Sequence, residues 1–419
     1  MGNPIRSSDG AKIERTLDIA PNQNGGFNFG KTYSSKQGGW NFDLPKPEDN
    51  FIYKYNADIL PPASGWKWWH ISLPGGMAVD ITKSELSGQF SILSPNGDIF
   101  IISTEGEVFT LGNRDGLRYS INSNTGVLVS QADQNGNKYT YGYTGNLLEK
   151  MTDDKGSSLS FYRTNNSLDC VQSSWGTAVH YIYDGLGRLV KSGAGVNCLS
   201  RPLGFVYKIY HYENVKFPNA LTGITDEKGI RYATWKYDDV GRAFQSFHAG
   251  GADFVNIDFL NSTQSAVTNS LGKRSIYNFV DVAGVGKLVE SIAGEPTPNC
   301  MADKLYQSYY PNGTIKTVTH KNGSVTLFER DEVGRVVTEK RGLHWPTATP
   351  GLVTTDLQPP SDLAGLVVIQ TCWHPTLNQP SRIIEPTRIT LFDYNANGQL
   401  KSQIVKPRPA GAVDCSTAL

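Results

Sequence analysis

Several things are scarce in this 419-residue chain, and each scarcity excludes something. Charge of one sign is missing: 39 Lys and Arg balance 39 Asp and Glu, for a formal net charge of 0. That excludes the basic excess of a nucleic-acid-binding surface and of a polybasic membrane patch. Cysteine is sparse, at five (Cys170, Cys198, Cys300, Cys372 and Cys415). The count is odd and no C-x-x-C occurs, so neither a disulfide framework nor a zinc site is expected. The seven histidines include no H-E-x-x-H pair, and no cofactor is expected. No apolar run nears the 18 residues of a membrane helix. The first residues, MGNPIRSSDGAKIERTLD, hold no apolar signal-peptide core. Helical periodicity is almost absent too.

What is abundant is glycine (43), proline (22) and period-two alternation, with 11% aromatic residues. Lys138–Tyr143 (KYTYGY), Ala178–Tyr183 (AVHYIY) and Ile230–Tyr237 (IRYATWKY) read as half-buried strands. Between such runs lie Asn96-Gly97, Asp115-Gly116, Asn135-Gly136, Asn312-Gly313, Asn322-Gly323 and Asn397-Gly398. These dipeptides predict type I′ hairpin turns, because Asn, Asp and Gly accept a positive φ at little cost. Tyr141, Phe161 and Tyr181 recur every 20 residues, as do Gly136, Gly156 and Gly176. An even period returns a side chain to the same sheet face, so each unit reads as one hairpin. The predicted fold is all-β: a curved, spiralling strip of antiparallel hairpins. The organisation expected is a start segment at 1–88, repeats at 89–341, a Pro-rich insertion at 342–365, further repeats at 366–405 and a frayed tail at 406–419. A longer loop is expected at 193–204.

One box recurs within the repeats. It is Tyr183-Asp184-Gly185-Leu186-Gly187-Arg188, then Tyr237-Asp238-Asp239-Val240-Gly241-Arg242. Variants are Arg330-Asp331-Glu332-Val333-Gly334-Arg335 and Tyr394-Asn395-Ala396-Asn397-Gly398. The aspartate or asparagine folds back onto N–H groups two residues on. The glycine takes a φ that a Cβ resists, and the tyrosine packs against neighbouring strands.

With this box, the head segment Gly26-Phe27-Asn28-Phe29-Gly30-Lys31-Thr32-Tyr33 with Gly39-Trp40, and Leu221–Asp226, Arg231–Trp235, His248–Gly251 and Trp373–Thr376, the chain resembles the RHS/YD-repeat family. The resemblance is to bacterial wall-associated, polymorphic-toxin members and covers about residues 2–405. It implies a β-shell that encloses and helps deliver a C-terminal toxic domain, with a toxin domain or a secretion-apparatus component as partner and a secreted or cell-surface location. The family's core-terminating self-cleavage segment has no counterpart here, so an incomplete shell without toxin is expected. Roughly 16 hairpins of two strands at ~4.8 Å give a strip of ~150 Å, about one turn of wall. Two other readings stand beside this one: a module binding carbohydrate on a cell surface, and a truncated remnant without activity.

No enzymatic activity is expected. Gly25–Thr32 (GGFNFGKT) matches the P-loop expression, but alternating phenylalanines read as strand, where a P-loop needs a helix to follow. Trp66, Trp68 and Trp69 could stack on sugar, although packing explains them as well. Asp153-Asp154 and Asp238-Asp239 are adjacent positions that point apart. The sequons at Asn165, Asn261, Asn312 and Asn322 fall at expected turns. His180 and His320 read as packing or surface residues.

Overall fold

The computed structural model describes residues 5–21, 26–42 and most of 108–416, with gaps at 200–205, 295–303, 346–356, 359–364 and scattered loop positions; between 66 and 105 it describes strand backbone alone. The chain is all-β, with a short 3-10 turn at Ala249–Gly251. Strands β1 (Ile13–Ile19), β2 (Phe29–Ser34) and β3 (Gly39–Phe42) form a small antiparallel sheet. Strands β4 (Trp66–Leu73), β5 (Met77–Ser84) and β6 (Phe90–Leu93) form another. From β7 (Ile99–Glu105) to β32 (Leu400–Pro407) every strand pairs antiparallel with the next in sequence. Among the described residues no backbone register joins β32 to β7, and β32 is exposed along its whole length. The sheet is therefore an open strip of hairpins, as the alternation predicts.

Alternation sets the two faces. On β11 (Lys138–Thr144), Tyr139, Tyr141 and Tyr143 are half-buried while Lys138, Thr140, Gly142 and Thr144 are exposed. The buried face of β11 to β19 (Arg231–Tyr237) carries Leu159, Phe161, Tyr181, Tyr210, Ile224 and Trp235, and packs with Ile19, Phe27, Phe29 and Tyr33 of the N-terminal segment in one core. Phe27 meets Tyr139, Phe29 meets Phe161, Phe42 meets Tyr181 and Trp40 meets Tyr210, with ring centroids 4.8–5.7 Å apart. At the other end, the backbone N–H of Ala243 donates to Gly10 O (2.9 Å). Tyr139 to Ala243 spans nine strand spacings, ~43 Å if flat, whereas the hairpin from Gly10 to the level of Phe27 is ~36 Å at full extension. The strip must curl for so small a sheet to reach all these strands. Farther round, Asn378 Nδ2 donates to Asp115 Oδ1 (2.7 Å). Loops 263 residues apart in sequence thus meet.

Several expectations need correction. The sparse cysteines do form disulfides: Cys170–Cys198 and Cys372–Cys415. Separations of 28 and 43 residues hide such pairs from a spacing rule, because each joins a strand to a later segment that folds back over it. Residues from Lys406 do not begin as a frayed tail. Lys406 and Pro407 still pair with Ile389 and Arg388, and Cys415 ties the following segment back to Cys372. The described Asn-Gly turns are not type I′. Only the glycine has positive φ, as at Gly136 (84°), Gly313 (80°) and Gly323 (81°). The loops close as three-residue turns in which glycine takes the left-handed position. A two-residue turn with both φ values positive is Asn165-Asn166 (50° and 68°), between β13 (Ser158–Thr164) and β14 (Ser167–Ser173). The loop expected at 193–204 starts later, since β16 (Leu189–Gly195) stays paired to Gly195. Most of the Pro-rich segment 342–365 lies outside the described residues, as do the side chains of Trp66, Trp68 and Trp69 and the turn Asn96-Gly97.

Candidate functional site

The recurring box is a mechanical joint. Asp184 Oδ1 accepts from the N–H groups of Leu186 (3.0 Å) and Arg188 (2.9 Å), while Oδ2 accepts from Arg188 Nε (2.7 Å). Asp238 repeats this with Val240 and Arg242. Asp331 does so with Arg335, and Asn395 Oδ1 accepts from Gln399 N (2.9 Å). Burial, the largest single influence, pushes the Asp184 and Asp238 carboxyls up, but the hydrogen bonds from backbone N–H groups and arginine together outweigh it and hold both below the usual range. Gly187, Gly241, Gly334 and Gly398 have φ of 76°, 83°, 87° and 80°. Each pinned guanidinium then lies over an aromatic ring of the next hairpin: Arg188 over Tyr212 (5.0 Å), Arg242 over Phe259 (4.2 Å) and Arg335 over Trp373 (5.0 Å).

The box tyrosine completes the joint in a way the sequence reading missed. Tyr183 Oη donates to Leu168 O (3.0 Å), Tyr237 Oη to Leu221 O (2.8 Å) and Tyr394 Oη to Pro380 O (2.7 Å). Leu168 and Pro380 sit beside the register shift of the preceding hairpin, where a β-bulge disturbs the ladder. Tyr212 caps Leu189 O (2.9 Å) at such a shift, and Tyr309 caps Val289 O. Departures from the box preserve the bond. Arg330 stands in for the tyrosine and donates through Nε and Nη2 to Ile315 O (both 3.2 Å). Arg163 caps Leu148 O, and Trp373 Nε1 caps Val336 O (2.9 Å). The required feature is a long donor at this register position. Only its alignment with the bulges would have revealed it from sequence.

The second cluster seats the N-terminal sheet. Lys31 Nζ is fully buried and donates to both carboxylate oxygens of Asp18 (2.7 and 2.9 Å). Tyr181 Oη donates to Asp18 Oδ2 (2.7 Å), and Trp40, Tyr181 and Tyr210 rings stand 5.3–5.5 Å from the ammonium. Burial lowers the Lys31 pKa, with Asp18 opposing, and raises that of Tyr181. Lys12, also buried, pairs with Glu14 (2.6 Å) and lies 4.0 Å over the Trp235 ring. Its pKa falls to about 8, chiefly through desolvation. Tyr33 Oη donates to Asn219 O and accepts from Leu221 N (2.8 and 2.9 Å), locking β2 to the strip.

This arrangement bears on the other sequence candidates. Lys31 lies mid-strand on β2 with no helix after it, so its surroundings are those of a buried ion pair rather than a phosphate cradle. Asp153 is buried and accepts from Lys155 N, Ser157 N and Gly26 N, while Asp154 is exposed. Asp239 is likewise fully exposed beside the engaged Asp238. His180 faces Asn197 O and His320 faces Thr326 Oγ1, both at 3.0 Å. Asn261, Asn312 and Asn322 each accept from the N–H two residues on, which is turn chemistry. Among the described residues no group of three His, Cys, Asp or Glu could hold a metal.

These features define a class: an all-β strip whose hairpins are cross-linked by a repeated box. No family model matches the chain, and no curated protein matches it. Among solved structures, the chain is similar to "TcdB2-TccC3" (11% identity, 94% of this chain and 23% of that one, TM-score 0.44) and "TcdB2-TccC3-Cdc42" (11%, 81% and 19%, 0.44). It is also similar to the Photorhabdus luminescens Tc holotoxin pore carrying a substituted TccC3 (11%, 82% and 19%, 0.44). The chain spans about a fifth of the length of these solved chains.

Proposed function

We propose that this chain is a wall segment of an RHS-repeat shell, the part that surrounds and helps deliver a toxic polypeptide. One observation carries the reading. The tyrosine, aspartate, glycine and arginine of the box are spent on joining a hairpin to itself or to its neighbour, and the strip so joined curls around its own N-terminal sheet. Residues committed to wall-building leave no nucleophile, base and oxyanion donor converging at the box. The reading assigns the chain a container role and no catalytic step of its own. Its partners are the enclosed polypeptide and, on the outside, a component of a secretion apparatus.

Limited proteolysis of the protein as its source cell makes it tests this. A shell predicts a protected polypeptide, distinct from residues 1–419, retained inside an intact β-rich particle and identified by mass spectrometry. Prompt digestion with no protected polypeptide would count against the container role. ATP hydrolysis lost on Lys31→Ala would overturn the non-catalytic part.

A further inference from the structure

One rim of the strip carries a row of exposed aliphatic side chains. Each strand pairs antiparallel with the next, so alternate turns fall on the same rim, with successive tips ~9.6 Å apart. Six such turns follow in order from β13 to β24 (Gly286–Gly294): 165–166, 184–188, 212–222, 238–242, 261–263 and the one that ends at Val285. Leu186, Val215 and Val240 on the second to fourth are 70–96% exposed, and Leu260 and Val285 at the last two are 45–48% exposed. The joint itself does not require them. Its bonds use the aspartate, glycine and arginine, and a polar residue would serve before the glycine. One exposed aliphatic residue is ordinary, whereas a contiguous row marks a contact surface. We propose that two copies of this chain meet at the rim, about a two-fold axis through the gap between the 212–222 loop and the 238–242 turn.

The order of the tips selects a second copy. On either side of the gap they read Leu186, Val215 and then Val240, Leu260, the same residue types in mirror order. A two-fold contact lays a patch on itself with its order reversed, so Val215 faces the partner's Val240 and Leu186 the partner's Leu260. Charge follows the same symmetry. Lys216 and fully exposed Asp239 flank the gap, 3.9 Å apart, and the axis sets Lys216 against the partner's Asp239. The other carboxylates of these three turns are engaged: Asp184 with Arg188, Glu213 with Arg231 and Asp238 with Arg242.

The rim is shaped and braced for such a contact. An axis along the radius of the curl gives both rims the same curvature, so they stay together over all six turns. Arg188 donates to Pro218 O, and Phe217 lies against Gly241. Lys287 donates to Ser262 O, and Val285 lies against Gly313. Neighbouring tips therefore keep a fixed spacing, and little order has to be gained on association. Six turns span ~58 Å and a sheet is ~10 Å thick, so each copy covers roughly 600 Å² and the pair about 1,200 Å². That is the lower end of specific interfaces, and a micromolar dissociation constant is expected. A lipid surface suits the rim less well. Membrane contacts favour basic and aromatic residues, whereas these tips are aliphatic and Lys216 is matched by Asp239. The proposal does not depend on the container role.

Sedimentation velocity of the full-length protein, from low to high micromolar concentration, tests this. A monomer–dimer equilibrium is expected, weakened about tenfold or more by Val240→Asp, which buries a carboxylate at the contact. Lys216→Glu and Asp239→Lys should each weaken it too, because each sets like charges face to face across the axis. An equimolar mixture of those two variants should recover the dimer, since every facing pair is then opposite in sign. All three replace exposed side chains, and circular dichroism confirms each fold. Four results would overturn the proposal. They are a monomer throughout the range, a dimer equally tight in Val240→Asp protein, charge variants whose mixture associates no better than either alone, and a monomer that co-sediments with phosphatidylcholine vesicles through Val240.

Discussion

Replacing single glycines by alanine separates the turn geometry from its surroundings. At Gly187 (φ 76°) an added Cβ meets nothing within 4 Å, so only the backbone term acts. The left-handed conformation costs an L-residue about 1–2 kcal/mol, and Gly187→Ala should lose that much stability. At Gly241 (φ 83°) the same term applies, but the Cβ would stand 3.0 Å from Phe217 Cε1 and 3.2 Å from Cδ1 and Cζ. Phe217 is half-buried in a loop and can yield, so the added cost is up to about 1 kcal/mol. Combining Gly241→Ala with Phe217→Ala should bring the glycine's cost back to the Gly187 value, a coupling a double-mutant cycle reads directly. Gly142 is the control. It lies on β11 without a positive φ, and its Cβ would sit 3.8 Å from Lys150 O. Alanine there should stabilise by about 0.4–1 kcal/mol through the unfolded chain. Urea unfolding followed by tryptophan fluorescence gives each value as a midpoint shift at constant m. A Gly187→Ala protein as stable as the parent, or more so, would refute the assignment of the box glycine.

Other consequences concern the core and the tail. Asp18→Asn strips the countercharge from buried Lys31 and should cost about 3–5 kcal/mol; Asp18→Asn with Lys31→Met should recover most of it in the same unfolding assay. Burial lowers the Lys12 pKa to about 8 when folded, against the ordinary lysine value of 10.5. Between these values the unfolded chain binds more protons, so stability rises with pH. The gain is present above the unfolded value and is lost as pH falls through about 8. The slope contributed should approach ~1.4 kcal/mol per pH unit above the folded value, and stability measured from pH 8 to 9.5 should flatten in Lys12→Met. Opening the Cys372–Cys415 bridge, which spans 43 residues, should cost up to ~4 kcal/mol by the chain-entropy estimate. Proteinase K cleavage of the segment that follows β32 should then accelerate in Cys372→Ser; an unchanged rate would refute the tethered tail.

The sequence by itself determined the strand class, the hairpin repeat and the box, because side-chain period and turn chemistry are local. Tyr139, Tyr141 and Tyr143 face one way whatever lies beyond them, and Gly187 needs its φ whatever surrounds it. Tertiary structure decided everything that depends on which hairpins become neighbours. The tyrosine's hydroxyl has a purpose only where the preceding hairpin's bulge presents a carbonyl, and Arg330 or Trp373 can take its place because a carbonyl accepts from any donor within reach. Cys170 and Cys198 meet because the segment after β16 folds back over β14. Lys31 reads as a phosphate-loop lysine in one dimension. In three it is enclosed by Asp18 from β1 and by Tyr181 and Tyr210 from the strip, a cage assembled across more than 190 residues by the curling of the sheet.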